Sequence, residues 1–443
     1  MTASTLFAVY YVAAIVLVGT ELFAMRSSRE MRPERSSAVP YVALIVVAYA
    51  FQLFLIRYGA TNQTDWAPWR SHLPLPVITR TAYHADLIAV AVFALTAIQT
   101  YALYAIYRRR VSRSIVIAGA ASLLVLSLAE PALISPDAYS YVADAALGSA
   151  AYAPPAAPFG GEYRVINDAL GTPQPPAPYG PLWIWIARAA TWALPGLLPK
   201  LLSFRAIGAL AFAAFVAALV RLKLPPRTVA IAALNPGLAL QYVTNAHNEI
   251  VCMACVAWAA VALRKAPAVS AALVVAAAAI KLPFALLGAP IFVRLRSRLA
   301  RVAWVAAIVG FSAAFAWFAG GKAYAGALVR HLPGGTFAGV LGLCVTAIAL
   351  GLLVASLLNR RRLDTGVWIF PLVGSYPTPW YAGWGIGYAL GSRRTLAYLL
   401  IWFPFCSALV DTMFIQVWTI DVVMPLVSLA CVAAMTLRRT RPA

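Results

Sequence analysis

Hydrophobic positions along this chain fall in continuous blocks, not in alternation. Ala-, Leu- and Val-rich runs occupy residues 5–25, 38–57, 84–107, 114–134, 201–220, 228–243, 248–263, 302–319, 337–357, 395–411 and 417–436. As a helix, such a run spans about 30 Å of hydrocarbon. Unbroken apolarity argues against a membrane barrel, and helices are then the remaining way to satisfy the backbone in lipid. The pattern predicts an all-α, polytopic integral membrane protein of about 11–15 membrane-crossing or re-entrant helices. It reads as one membrane domain: N-terminal helices over 1–134, a loop over 135–200 and C-terminal helices over 201–443.

Composition supports this, with 63% hydrophobic and 11% charged residues and a mean hydropathy of +0.81. The net charge of +21 would suggest nucleic acid in a soluble protein. Here the basic residues gather at the ends of apolar runs, as in Arg26 to Arg35, Arg108 to Arg113, Arg221 to Arg227, Arg294 to Arg301 and Arg360 to Arg362. The positive-inside rule places those ends in the cytoplasm, against an anionic leaflet. The charge therefore implies a lipid bilayer as partner and no nucleic acid. The site would then lie on the extracytoplasmic side of the cell inner (plasma) membrane. Residues 1–25 lack a leading basic segment and read as a retained first span with its N-terminus outside. Cys252 and Cys255 have CxxC spacing inside an apolar run, which reads as helix packing.

Two stretches, 266–293 and 365–392, carry basic clusters at both ends, so a single crossing would expose one cluster. Both are expected to be hairpins or re-entrant pairs. Lys281-Leu282-Pro283 would break the first and Tyr376-Pro377-Thr378-Pro379 the second. The same sorting puts 135–200 outside, with interfacial helices expected over 136–148 and 181–194. In the second of these, Trp183, Trp185 and Trp192 read as headgroup-level anchors.

Polar residues in this frame mark candidate chemistry. In SPDAYSYVADA, Ser135 suits a helix cap, Pro136 the first helical position and Asp137 the first turn. Asp137 could simply complement the helix dipole. Helical spacing also puts Asp137, Tyr141 and Asp144 on one face, which a plain surface helix does not need. In NPGLALQYVTNAHNEI, Asn245, His247, Asn248 and Glu249 cluster at the outer end of a span. They suit the hydroxyls of a sugar or form a polar turn. Lys281 is the charge inside 266–293; a mid-membrane lysine faces a cavity or a partner. That partner is a lipid phosphate, with Arg205 and Lys200 as further candidates, or an acid on a neighbouring helix. Tyr179 in PAPYGPLW and Trp380 and Tyr381 in YPTPWYAGW offer aromatic faces for a sugar ring or for the interface. No GxGxxG, P-loop or GxSxG motif is present.

In order, SPDAYSYVADA, PYGPLW, NPGLALQYVTNAHNE, AAIKLPFALL and TPWYAGW resemble the GT-C glycosyltransferases, in particular the actinobacterial α-1,6-mannosyltransferases that use polyprenyl-phosphate mannose. The resemblance covers residues 115–390. It implies a polyprenyl-phosphate sugar donor, a glycan or glycolipid acceptor, and inverting transfer with Asp137 as general base. Lys281, His247 and Arg205 would meet the donor phosphate. Tyr141, Asp144, Tyr179, Asn245, Asn248, Glu249, Trp380 and Tyr381 would line the substrates. Glu249 stands where the family usually has aspartate, and Pro136 where an arginine commonly precedes the first aspartate. A lipid-phosphate leaving group makes no metal obligatory, and a divalent metal stays possible. The rival expectation is a transporter or flippase of a polyprenyl-linked lipid, for which no repeat between the halves is found; a non-catalytic scaffold for envelope assembly is the third.

Overall fold

The computed structural model describes residues 36–62, 85–129, 135, 137–156, 158–318 and 321–330. The expected spans at 5–25, 337–357, 395–411 and 417–436, and the expected hairpin at 365–392 with Trp380 and Tyr381, lie outside the described residues. The described chain is all-helical. Its α-helices are α1 (Val39–Asn62), α2 (Ala85–Tyr107), α3 (Arg113–Ala129), α4 (Asp137–Leu147), α5 (Arg164–Leu170), α6 (Pro181–Thr191), α7 (Leu197–Arg221), α8 (Pro226–Ala233), α9 (Pro236–Ala239), α10 (Glu249–Ala262), α11 (Pro267–Ile280), α12 (Gly288–Phe292), α13 (Arg298–Phe318) and α14 (Gly321–Arg330).

Prolines open α6, α8, α9 and α11, where a missing N–H costs nothing and the locked φ suits the first turn. Two stretches, Leu197–Arg221 and Arg298–Trp317, are long and apolar enough to cross a membrane as single helices. Large apolar side chains such as Phe51, Ile117, Leu210, Leu299 and Trp317 are exposed, as expected of faces whose solvent is lipid. The protein is an all-α membrane protein.

Polar groups inside this bundle find one another. Gln99 donates to Gln52 at 2.7 Å, joining α2 to α1. The Tyr49 hydroxyl lies 2.8 Å from that of Ser127 and 3.2 Å from that of Thr244, joining α1, α3 and the segment before α10. Away from water such bonds have no competing solvent partner, so they specify which helix faces which.

Two expectations change here. The run 228–243 is not one helix: α8 ends at Ala233, and Asn235 caps α9 by accepting the Leu238 N–H at 3.1 Å. Pro236 cannot supply the N–H that would continue α8. The chain goes on as a π-helical turn, Leu240–Thr244. The Asn-Pro pair was the available signal. In addition, Trp183 is buried inside the protein, while Trp185 and Trp192 are exposed. An indole facing α4 is removed from any headgroup layer, so Trp183 is not an anchor of the kind expected.

The break at Lys281 is present. Helix α11 stops at Ile280, Lys281 is extended, and a 3-10 turn runs over Leu282–Leu287. The chain then folds back, because a Cβ at Gly288 would sit 3.1 Å from Val274 Cγ1 of α11. Residues 274 and 288 flank Lys281 symmetrically, which puts the lysine at the tip of a hairpin.

Candidate active site

Asp137 is the first residue of α4, and its N–H donates to Ser135 Oγ at 3.2 Å. The Tyr141 hydroxyl, one turn on, donates to Asp137 Oδ2 at 3.4 Å. His247 Nε2 stands 3.8 Å from the same oxygen, beyond hydrogen-bond length. The Asp137 side chain is 20% exposed. Around it Tyr141, Asp144, Tyr179, Asn245, His247, Asn248 and Glu249 are all buried.

The segment that brings His247 to Asp137 is irregular for identifiable reasons. The π turn closes with Asn245 N–H to Leu240 O at 3.0 Å, and His247 N–H reaches Gln241 O at 3.3 Å. Between them Ala246 has φ of 56°, a left-handed conformation rare for alanine and costing about 1–3 kcal/mol. Single π turns and strained residues gather at functional sites, where the surrounding structure holds them. Part of that hold comes from Gly208 of α7, where a Cβ would collide with the Tyr242 carbonyl oxygen.

Arg205, read as a phosphate contact, is buried among carbonyls. It donates from Nη2 to Ser127 O at 2.7 Å, from Nη1 to Leu128 O at 3.2 Å and from Nε to Thr244 O at 3.2 Å. It thereby ties the end of α3, which leads to Asp137, to the π turn, which leads to His247. Lys200 donates to the Tyr163 hydroxyl at 2.9 Å. Lys281 contacts Glu249 Oε1 directly, and its ammonium lies 5.6 Å from the centre of the Tyr179 ring. The acid partner allowed for by the sequence is therefore Glu249, 32 residues away.

The loop over 135–200 is locked onto this hairpin through PYGPLW. Gly180 N–H donates to Ile280 O at 2.8 Å, and a Cβ on Gly180 would collide with the Ala279 carbonyl oxygen. The Tyr152 hydroxyl holds Tyr179 O at 3.1 Å. Trp183 of the same loop packs edge-on against Tyr141, with ring centres 4.7 Å apart. Sequence reasoning missed Gly180 and Trp183 as site-building residues, because glycine beside proline reads as a turn and tryptophan near a boundary as an anchor. No group of three or more His, Cys, Asp or Glu suited to a metal ion occurs among the described residues.

The site thus gathers, from three separated segments, an accessible carboxylate on a helix start, a phenol, an imidazole and a sealed ion pair. Residues 42–298, more than half of the chain, match the family model of the MptA_B family, described as alpha-(1->6)-mannopyranosyltransferase, N-terminal domain. The chain belongs to this family. The MptA_B match spans α4, the π turn and the Lys281 hairpin, so every described site residue lies inside it. Membership makes the protein a glycosyltransferase, with a sugar donor and a glycan acceptor, and takes it out of the transporter and scaffold classes. No curated protein and no solved structure matches the chain.

Proposed function

We propose that this protein transfers a hexose, mannose by the family's chemistry, from a polyprenyl-phosphate donor to a glycan or glycolipid acceptor on the extracytoplasmic face of a multi-pass membrane domain. Asp137 is the general base. Its carboxylate takes the proton of an acceptor hydroxyl while that oxygen bonds to the anomeric carbon. The bond from that carbon to the phosphate oxygen breaks, its electron pair leaves with the polyprenyl phosphate, and the anomeric configuration inverts. The observation that carries this reading is the access of Asp137: it is 20% exposed, while Asp144 and Glu249, the other acids beside it, are sealed. Arg205 and Lys281 are engaged with carbonyls and with Glu249, so the reading rests on the base. A donor delivered within the membrane agrees with the absence of nucleotide-binding motifs from the sequence.

The test uses the full chain in lipid nanodiscs with polyprenyl-phosphate mannose and a short mannoside acceptor. Wild type transfers mannose, and Asp137→Asn is slower by about 10²- to 10⁴-fold, the usual contribution of a general base. Full activity of the variant overturns the base assignment. Transfer from a nucleotide sugar in place of the lipid donor overturns the donor assignment.

A further inference from the structure

We infer that Tyr141 is a positioning residue for Asp137: its phenol aims and steadies the Oδ2 oxygen that receives the acceptor proton. The inference rests on the proposal that Asp137 is the base, and deepens it. A hydroxyl has one hydrogen to donate. The Tyr141 oxygen accepts from the Asn248 N–H at 3.1 Å and is hydrogen-bonded to the Tyr179 side chain; its own hydrogen goes to Asp137 Oδ2, 3.4 Å away. That length is loose, as catalytic hydrogen bonds often are before substrate binds.

The ring cannot swing away. It is fully buried and meets Tyr179, Trp183 and Phe204 edge-on, with centres 5.1, 4.7 and 5.3 Å distant. Tyr179 and Trp183 belong to the PYGPLW stretch and Phe204 to α7, so two separate segments determine where one oxygen atom lies. Burial first, then the charges of Asp137 and Glu249, raise the Tyr141 pKa well above its ordinary value, and the phenol stays a neutral donor. Because the ring is enclosed, a substrate meets the carboxylate that Tyr141 holds and not Tyr141 itself.

The experiment compares Tyr141→Phe with wild type in the nanodisc transfer assay, reading kcat, the KM for both substrates and thermal unfolding. Phenylalanine fills the same cage and lacks only the oxygen. The expected result is a fall in kcat of about tenfold to hundredfold, the scale of one hydrogen bond to a charged group, with both KM values unchanged. Tyr139→Phe, which removes a buried hydroxyl two residues away on α4, serves as the control and keeps its kcat. An unchanged kcat in Tyr141→Phe, or a raised KM with kcat intact, overturns the positioning role. If Tyr141→Phe does not fold, 3,5-difluorotyrosine placed at position 141 keeps ring and hydroxyl while strengthening the donor. In that case kcat changes with KM constant, and an unchanged kcat overturns the inference. An inactive Asp137→Asn beside an unaltered Tyr141→Phe removes this inference alone, whereas a fully active Asp137→Asn removes the base assignment beneath it.

Discussion

Two helices at the site begin with an acid: α4 with Asp137 and α10 with Glu249. Both occupy the first turn, where the helix dipole favours negative charge, and both flank the Tyr141 phenol, whose oxygen touches Asp137 and the N–H of Asn248. Their surroundings are opposite. Glu249 is 0% exposed and in contact with the Lys281 ammonium. Asp137 is 20% exposed, and its neighbours are a phenol and an imidazole, with no Lys or Arg paired to it among the described residues. Residue type and helix position therefore do not separate a base from a structural acid. Access and the presence of a cation do: a sealed carboxylate held by an ammonium is not reachable by an acceptor hydroxyl.

The strongest way to break the comparison beyond Asp137 itself is to remove the cation. Lys281→Met leaves Glu249 as an uncompensated buried charge and is expected to destabilise the protein by about 3–5 kcal/mol. The loss should appear as an earlier thermal unfolding transition in detergent. Lys281→Met combined with Glu249→Gln removes both charges and should recover most of it, since an apolar or neutral replacement of a whole buried pair is often near neutral. If Lys281 instead serves the donor phosphate, Lys281→Met raises the donor KM with unfolding unchanged, and the double variant recovers nothing.

A smaller effect is expected where the loop over 135–200 meets the same hairpin. Gly180→Ala drives a methyl group into the Ala279 carbonyl oxygen, a backbone atom that no rotamer change can move. The loop must lift, weakening the Gly180 N–H bond to Ile280 O beside Lys281. Overpacking of this kind costs about 1–3 kcal/mol. Unfolding should come earlier and transfer should slow. Wild-type values for both would show that the loop is free to shift without disturbing the site.

Much of this organisation was legible in the residue pattern, and the exceptions have a common cause. Continuous apolar runs announced the helices, Ser135 and Asp137 the start of α4, and Lys281-Leu282-Pro283 the hairpin tip, because each is a local effect of propensity, capping or a missing N–H. What stayed hidden depends on partners distant in sequence. Trp183 is core because Tyr141 and Phe204 enclose it. Arg205 faces carbonyls of α3 and the π turn, 77 and 39 residues away. The left-handed Ala246 has no signal in its own sequence, since alanine gains nothing from that conformation. Asp137, Tyr141 and Asp144 do share one helical face as the spacing implied, yet the fold divides that face into an open end and a sealed one.

Asp144 supplies the smallest effect and the finest test of that division. Burial, with the Asp137 charge adding to it, raises the Asp144 pKa well above the ordinary carboxylate value. The folded chain thus keeps this proton at pH values where the unfolded chain has lost it. The unfolded state binds fewer protons there, so stability from this group is full at acid pH, below the unfolded pKa, and declines as pH rises toward the folded pKa. Asparagine resembles the neutral acid and has no proton to lose. Asp144→Asn should unfold at nearly the wild-type temperature in acid, and progressively later than wild type as pH rises. Transfer at neutral pH should stay close to wild type, because Asp144 is buried and asparagine keeps the shape of the neutral acid that burial favours. A loss as deep as that of Asp137→Asn would mean that the two acids act as a pair, and that access alone does not select the base.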